Sequence, residues 1–171
     1  MPGFEEIHHR LLLRSLVSAS VLLLSLCGAK TVAAQKVDHY SPQLLVEQAA
    51  PLRDKAAKDS HGAASETLEK YGVDYTMLSY RSQDGGAEMH ASFADIFVVV
   101  DGEATLLSGG ELEHQESSAA GEFKGTAVLH GTSTHLGKGD VVHIPPNTPH
   151  QLLIAKGGSF TYFVIKVKEA Q

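Results

Sequence analysis

The sequence predicts an all-β fold, a sandwich or barrel preceded by a short helical extension. Three observations carry this reading. Segments rich in β-forming residues recur roughly every 8 to 12 residues between Val73 and Lys168. Gly, Asp and Pro clusters punctuate them. No heptad or internal repeat is visible.

Residues 1–34 read as a secretory signal peptide. Arg10 and Arg14 supply the basic start, and an apolar run follows from Leu16 to Leu26. Val32 and Ala34 suit the positions three and one before a cleavage site, which puts the cut before Gln35. A spanning helix needs about 20 apolar residues, and this run is shorter. Leu11 to Leu13 lengthen it, so an uncleaved anchor is the alternative. Cys27 could mark a lipoprotein, but Leu26 stands where that signal wants a small residue. The expectation is an exported protein, periplasmic or extracellular, with no stable membrane span after cleavage.

Cleavage leaves residues 35–171, with 11 basic residues against 18 acidic ones. It also removes the only cysteine, which excludes a disulfide framework and thiol chemistry. Such a domain is held by its core, or by its core and a metal. Net acidity without a basic cluster argues against nucleic acid and anionic membrane surfaces as partners. No phosphate-binding or dinucleotide-binding glycine motif is present.

Residues 35–72 form the expected helical extension. Ser41-Pro42 starts a helix, with Ser as cap and Pro at the first helical position. "QLLVEQAA" continues it, and Pro51 is expected to break or kink it. "RDKAAKDSHGAAS" reads as a connector. "SETLEKYG" reads as a second short helix, with Ser65 as cap and Gly72 as stop.

Residues 73–168 form the expected β-domain. "DYTMLSYRS" is a strand and Asp84-Gly85-Gly86 a turn. "AEMHASF" begins the next strand. "DIFVVVDGEATLLSGG" reads as a hairpin-like pair about Asp101-Gly102. "ELEHQESSAAGEFKG" is polar and reads as an exposed loop, a lid or a solvated excursion. "TAVLHGTSTHLGKGD" carries a strand. "VVHIP" is another, and "HQLLIAKGGSFTYFVIKVK" reads as a closing hairpin around Gly157-Gly158.

"GDVVHIPPNTPHQ" is the most informative stretch. Pro145, Pro146 and Pro149 stiffen a turn and deliver His150 at the start of the next strand at low entropic cost. Upstream, His90 and Asp95 precede the six residues "IFVVVD" and Gly102. Together the two segments resemble the two motifs of the cupin superfamily, small β-barrels of jelly-roll type. The first motif has a His-x-His pair, an acidic residue, six residues and a Gly. The second has Gly, five residues and Pro-x-Gly-x-x-His. Gly139, Pro145 and His150 match the second, with Asn147 at the inner Gly, where Asn best tolerates a left-handed backbone. The resemblance covers roughly Val73 to Lys168.

The departures are specific. Taking His90 as the first His of the pair puts Ser92 at its partner position and leaves the gap to Asp95 one residue short. Ile154 stands where an Asn is common. His90 and Asp95 would face opposite sides of a regular strand, so a bend or bulge across Ala91 to Ala94 is required. The resemblance implies metal ligation by His90, Asp95 and His150. Such a donor set accepts a divalent transition metal, Mn, Fe, Ni or Zn among them, with open positions for a ligand. His150 could instead be a buried turn histidine, and Asp95 a brace at a strand end. His114, His130 and His135 are expected at the surface, and His143, in mid-strand, as a cross-strand or surface residue with the pocket as the lesser alternative. Tyr75, Tyr80, Phe97, Phe160 and Tyr162 are expected in the core or barrel wall.

Three functions follow as alternatives: a metal-dependent enzyme acting on a small molecule, a binding module for a small ligand or metal, and a metal-free structural barrel that could pair as a homodimer.

Overall fold

The computed structural model describes residues 36–169, and the leader assigned to residues 1–34 lies outside them. The chain divides into a unit of residues 1–37 and a unit of residues 38–171. The fold below is that of the second. Helix α1 runs over Pro42–Ala56. The Ser41 side chain accepts a hydrogen bond from the Leu44 N–H at 3.2 Å, and Pro42 begins the helix. Pro51 does not break it. A proline removes one N–H from the ladder, whereas the buried stripe Leu45, Ala49, Leu52 and Ala56 holds both halves against the sheet.

Thirteen strands follow: β1 (Ala63–Tyr71), β2 (Asp74–Arg81), β3 (Ala87–His90), β4 (Phe93–Gly102), β5 (Ala104–Ser108), β6 (Glu111–Leu112), β7 (Glu116–Ala119), β8 (Glu122–Gly125), β9 (Val128–Leu129), β10 (Thr132–Leu136), β11 (Val141–Ile144), β12 (His150–Leu153) and β13 (Phe160–Lys168). One sheet has the order β1-β2-β13-β4-β11. The other has the order β10-β5-β12-β3-β8-β7, and β6 pairs with β9 separately. All pairings are antiparallel.

Alternation sorts the five-stranded sheet into two faces. Phe97, Val99, Tyr162 and Val164 point inward and pack with Leu106, Leu136, Ile144 and Leu152. Leu78, Val100 and Phe163 point outward and pack under Leu45, Ala49 and Leu52 of α1. Helix α1 therefore covers the sheet's outer face and gives it a second core.

Several local expectations are corrected. The segment read as a second helix is strand β1, paired with β2 and offset by a bulge between Thr67 and Glu69. The five-stranded sheet thus starts at Ala63, inside the segment read as the helical extension. Glu, Leu and Lys favour helix only weakly, and cross-strand pairing overrides that preference. Strands β4 and β5 do not form a hairpin: β4 pairs with β13 and β11, and β5 with β10 and β12. Likewise β12 and β13 lie in different sheets. The polar stretch after Gly110 is not simply a loop, because its strand β8 pairs with β3.

The crossing after β4 depends on Gly102. Its φ is +77°, and a Cβ there would lie 1.9 Å from the Ser159 carbonyl oxygen. Gly102→Ala should destabilise the fold by more than about 1 kcal/mol, read as a lower urea midpoint. An unchanged midpoint would contradict this close approach. Among the described residues, no helix is long and apolar enough to cross a membrane.

Candidate metal centre

The two sheets bring four donor side chains together at their inner faces. Strand β3 ends at His90, residues 91–92 bend, and β4 begins at Phe93. That bend resets the alternation, so His90 and Asp95 both point inward, 8% and 2% exposed. The proline-rich turn ends at His150, also 2% exposed. Asn147 holds the turn with φ +60°, and its N–H donates to the His90 carbonyl at 2.8 Å. The second motif's turn is thereby tied to the first motif's strand.

The fourth donor is Glu88, which the sequence reading missed. It stands two residues before His90, on the same face of β3, and its register partner is His150 on β12. His90 is thus the second member of the pair, and Glu88 holds the partner position assigned to Ser92. Counting from Glu88 removes the one-residue shortfall in the gap to Asp95. The signal was the period of two, which Glu88-Met89-His90 satisfies. One donor atom from each of Glu88, His90, Asp95 and His150 lies within 4.8 Å of all the others.

The donors stand slightly wider than they would around a bound ion. His150 Nε2 lies 3.4 Å from Glu88 Oε1 and 3.7 Å from Asp95 Oδ2, and His90 Nε2 lies 3.5 Å from Asp95 Oδ2. Donors about 2.1 Å from a tetrahedral or octahedral ion stand roughly 3.0–3.4 Å apart. The tautomers suit an ion. His150 Nδ1–H donates to the Thr148 carbonyl at 3.0 Å, and His90 Nδ1–H donates to Glu122 Oε2 at 2.5 Å. Both Nε2 lone pairs therefore face the centre, fixed by outer oxygens as in metal-ligating histidines. His150 Nε2 is buried and has no hydrogen-bond partner. Phe97 packs against the His150 ring at 6.4 Å, edge to face.

Lys166 shares the centre, and sequence reasoning missed it too. It is directly opposite Asp95 in the β13–β4 register and 8% exposed. Its Nζ donates to His90 Nε2 and to Asp95 Oδ2, each at 2.7 Å. The signal lay in the alternation Phe160, Tyr162, Val164, Lys166, which puts a lysine on the inner face.

The electrostatics follow from this crowding. Burial alone would raise both carboxyl pKa values. At Glu88 the protonated form of His150, donating from Nε2 and carrying charge, with His90 and Lys166 behind it, brings the value down to about 2 in the metal-free protein. At Asp95, His90 and Lys166 likewise hold it below the ordinary value. Both groups stabilise the fold above their unfolded-state pKa, and that contribution is lost as pH falls through the folded value. For Glu88 the window runs from 4.5 down to about 2. Urea midpoints of the metal-free protein should therefore drop steeply below pH 4.5, and the drop should shrink in Glu88→Gln.

The other sequence candidates lie where expected. His114, His130, His135 and His143 are exposed, and His143 faces Glu169 at 4.0 Å. Phe97, Phe160 and Tyr162 are buried, while Tyr75 and Tyr80 are half-buried in the barrel wall.

No protein-family model and no curated protein matches the chain. Solved structures do. A conserved protein with a double-stranded β-helix domain from Klebsiella pneumoniae aligns with TM-score 0.50 at 15% identity, over 78% of this chain and 91% of that one. The Cnp3 cupin domain of Schizosaccharomyces pombe aligns with TM-score 0.48 at 7% identity, over 63% and 65%. A cupin superfamily protein from Desulfitobacterium hafniense aligns with TM-score 0.43 at 14% identity, over 63% and 78%. The two-sheet topology agrees with the first of these on the fold: the chain has a double-stranded β-helix fold.

Proposed function

We propose that this protein is an exported, metal-dependent cupin whose barrel holds one divalent transition ion and presents it to a small molecule. The observation that carries the reading is His150 Nε2, a buried lone pair with no hydrogen-bond partner, aimed at two carboxylates and a second imidazole. Glu88, His90, Asp95 and His150 would hold the ion. Two imidazoles and two carboxylates, with no thiolate, suit Mn, Fe, Ni or Zn. When bound, such an ion polarises a carbonyl or acidifies a bound water.

The chain's own residues supply the rest. Thr148 and Glu122 fix the two imidazole tautomers, and Phe97 holds the His150 ring from the side. Ligand enters a cavity of about 240 Å³ that reaches Glu88, His90, Asp95 and Lys166. Lys166 has to withdraw from His90 and Asp95 before both can bind an ion, and its ammonium then faces the same cavity.

Lys166 also favours a second reading, a metal-free barrel in which its ammonium is the resident cation. Cobalt(II) titration of residues 35–171 separates the two. Visible absorption that saturates at one equivalent and disappears in His150→Ala is expected. A flat titration in the wild-type protein would leave the lysine-filled barrel.

A further inference from the structure

The cavity has a second pole, away from the donor cluster. Arg81 ends β2 and lines the same space as Glu88 and Asp95. Its Nε donates to the Tyr162 hydroxyl at 3.3 Å. Among the described residues no carboxylate lies within ion-pair distance of its guanidinium. The side chain is nevertheless held in place. A Cβ on Gly85 would come within 3.1 Å of its Cζ and Nη1, so the guanidinium rests against bare backbone. Gly85 is itself fixed, its N–H donating to the Leu152 carbonyl and its carbonyl accepting from Gln151 Nε2, at 2.8 and 2.9 Å. Ser79 lies beside this pole, and its hydroxyl meets that of Ser65 at 2.8 Å.

A guanidinium has five donors in a planar fork. Among the described residues only Nε has a partner, the Tyr162 hydroxyl, and the fork's outer edge suits a carboxylate bidentately. We propose that Arg81, with Tyr162 behind it, is the anion subsite of this cavity and takes the carboxylate of a small organic acid, whose other end faces the donor cluster and Lys166. This rests on the reading of the barrel as a small-molecule site and adds the ligand's class. Size points the same way. The cavity of about 240 Å³ corresponds to roughly eight waters at about 30 Å³ each, room for a short-chain acid.

Calorimetric titration of residues 35–171 tests this, with butanoate, neutral butanamide and inorganic phosphate as probes, on metal-free protein and on protein incubated with zinc. Butanoate should bind more tightly than butanamide in both preparations. Arg81→Met should weaken butanoate by at least about tenfold and leave butanamide unchanged. Arg81→Lys, which keeps the charge and much of the packing, should fall between. Metal content measured on the same samples reports the centre separately, so loss of metal with butanoate preference intact would count against the metal reading alone. Equal binding of butanoate and butanamide by the wild-type protein, or butanoate binding indifferent to both substitutions, would overturn the subsite. Tighter binding of phosphate than butanoate would overturn the carboxylate assignment.

Discussion

Lys166→Met should raise the affinity of the barrel for divalent transition ions by at least about tenfold, and should lower stability when no ion is present. Lys166 Nζ occupies the lone pair of His90 Nε2 and an oxygen of Asp95, the same atoms an ion needs. An incoming ion has to break two charge-assisted hydrogen bonds, each worth about 1.5–3 kcal/mol. Methionine keeps most of the side-chain length and packs in irregular spaces without a charge. The cost appears in the metal-free state. Removing one member of a buried ion pair costs about 3–5 kcal/mol, because the other is left uncompensated. Asp95, at 2% exposure, would be that group. Saturating metal should return much of the loss, about 2.7 kcal/mol at one hundred times the dissociation constant. Competition against a chromophoric chelator reads the affinity, and thermal melts with and without zinc read the stability. An affinity that stays level or falls would show that Lys166 does not compete for the ligand atoms.

Asp95→Leu should abolish metal binding and cost about 3–5 kcal/mol of stability in the metal-free protein. Here the stranded group is Lys166, a buried ammonium left with only His90 as a named partner. The double variant Asp95→Leu with Lys166→Met removes both charges, and buried pairs replaced by apolar groups are often neutral or better. It should therefore recover most of the stability lost by Asp95→Leu alone while still binding no metal. With each single variant costing about 3–5 kcal/mol and the double variant little, the Lys166–Asp95 coupling isolated by the double-mutant cycle should be at least about 4 kcal/mol. Additive single-variant effects, measured by urea unfolding, would show that the pair does not act as a unit.

These two side chains also show what the sequence made legible. His150 was readable because its turn carries its own chemistry: Pro145, Pro146 and Pro149 around Asn147, which adopts the left-handed φ of +60° that the position requires. His90 and Asp95 were readable as a pair that needed a bend, and residues 91–92 provide it. Glu88 was missed because the motif was aligned one ligand too far forward, toward Ser92, although alternation alone places Glu88 beside His90. Lys166 was missed because a lysine near the end of a strand reads as solvated. Only the inward run Phe160, Tyr162, Val164 exposes it.

The fold class was legible from strand spacing, whereas the pairing was not. Glycine and aspartate turns look like hairpins locally. In a two-sheet barrel, though, consecutive strands often cross between sheets, as β4 to β5 and β12 to β13 do. Strand β1 was disguised by helix-forming residues on an edge, where pairing with β2 and the packing of Ala64 and Leu68 under α1 decide the conformation.

The central claim is that Glu88, His90, Asp95 and His150 hold one transition ion. Elemental mass spectrometry tests it most directly. Residues 35–171 would be purified without a tag and reconstituted separately with Mn, Fe, Ni and Zn, beside His150→Ala and Lys166→Met. The account predicts close to one equivalent of one of these metals in the wild-type protein, none in His150→Ala, and tighter retention under dialysis in Lys166→Met. Absence of metal from the wild-type protein and from Lys166→Met alike would contradict it, and would leave the barrel to its lysine.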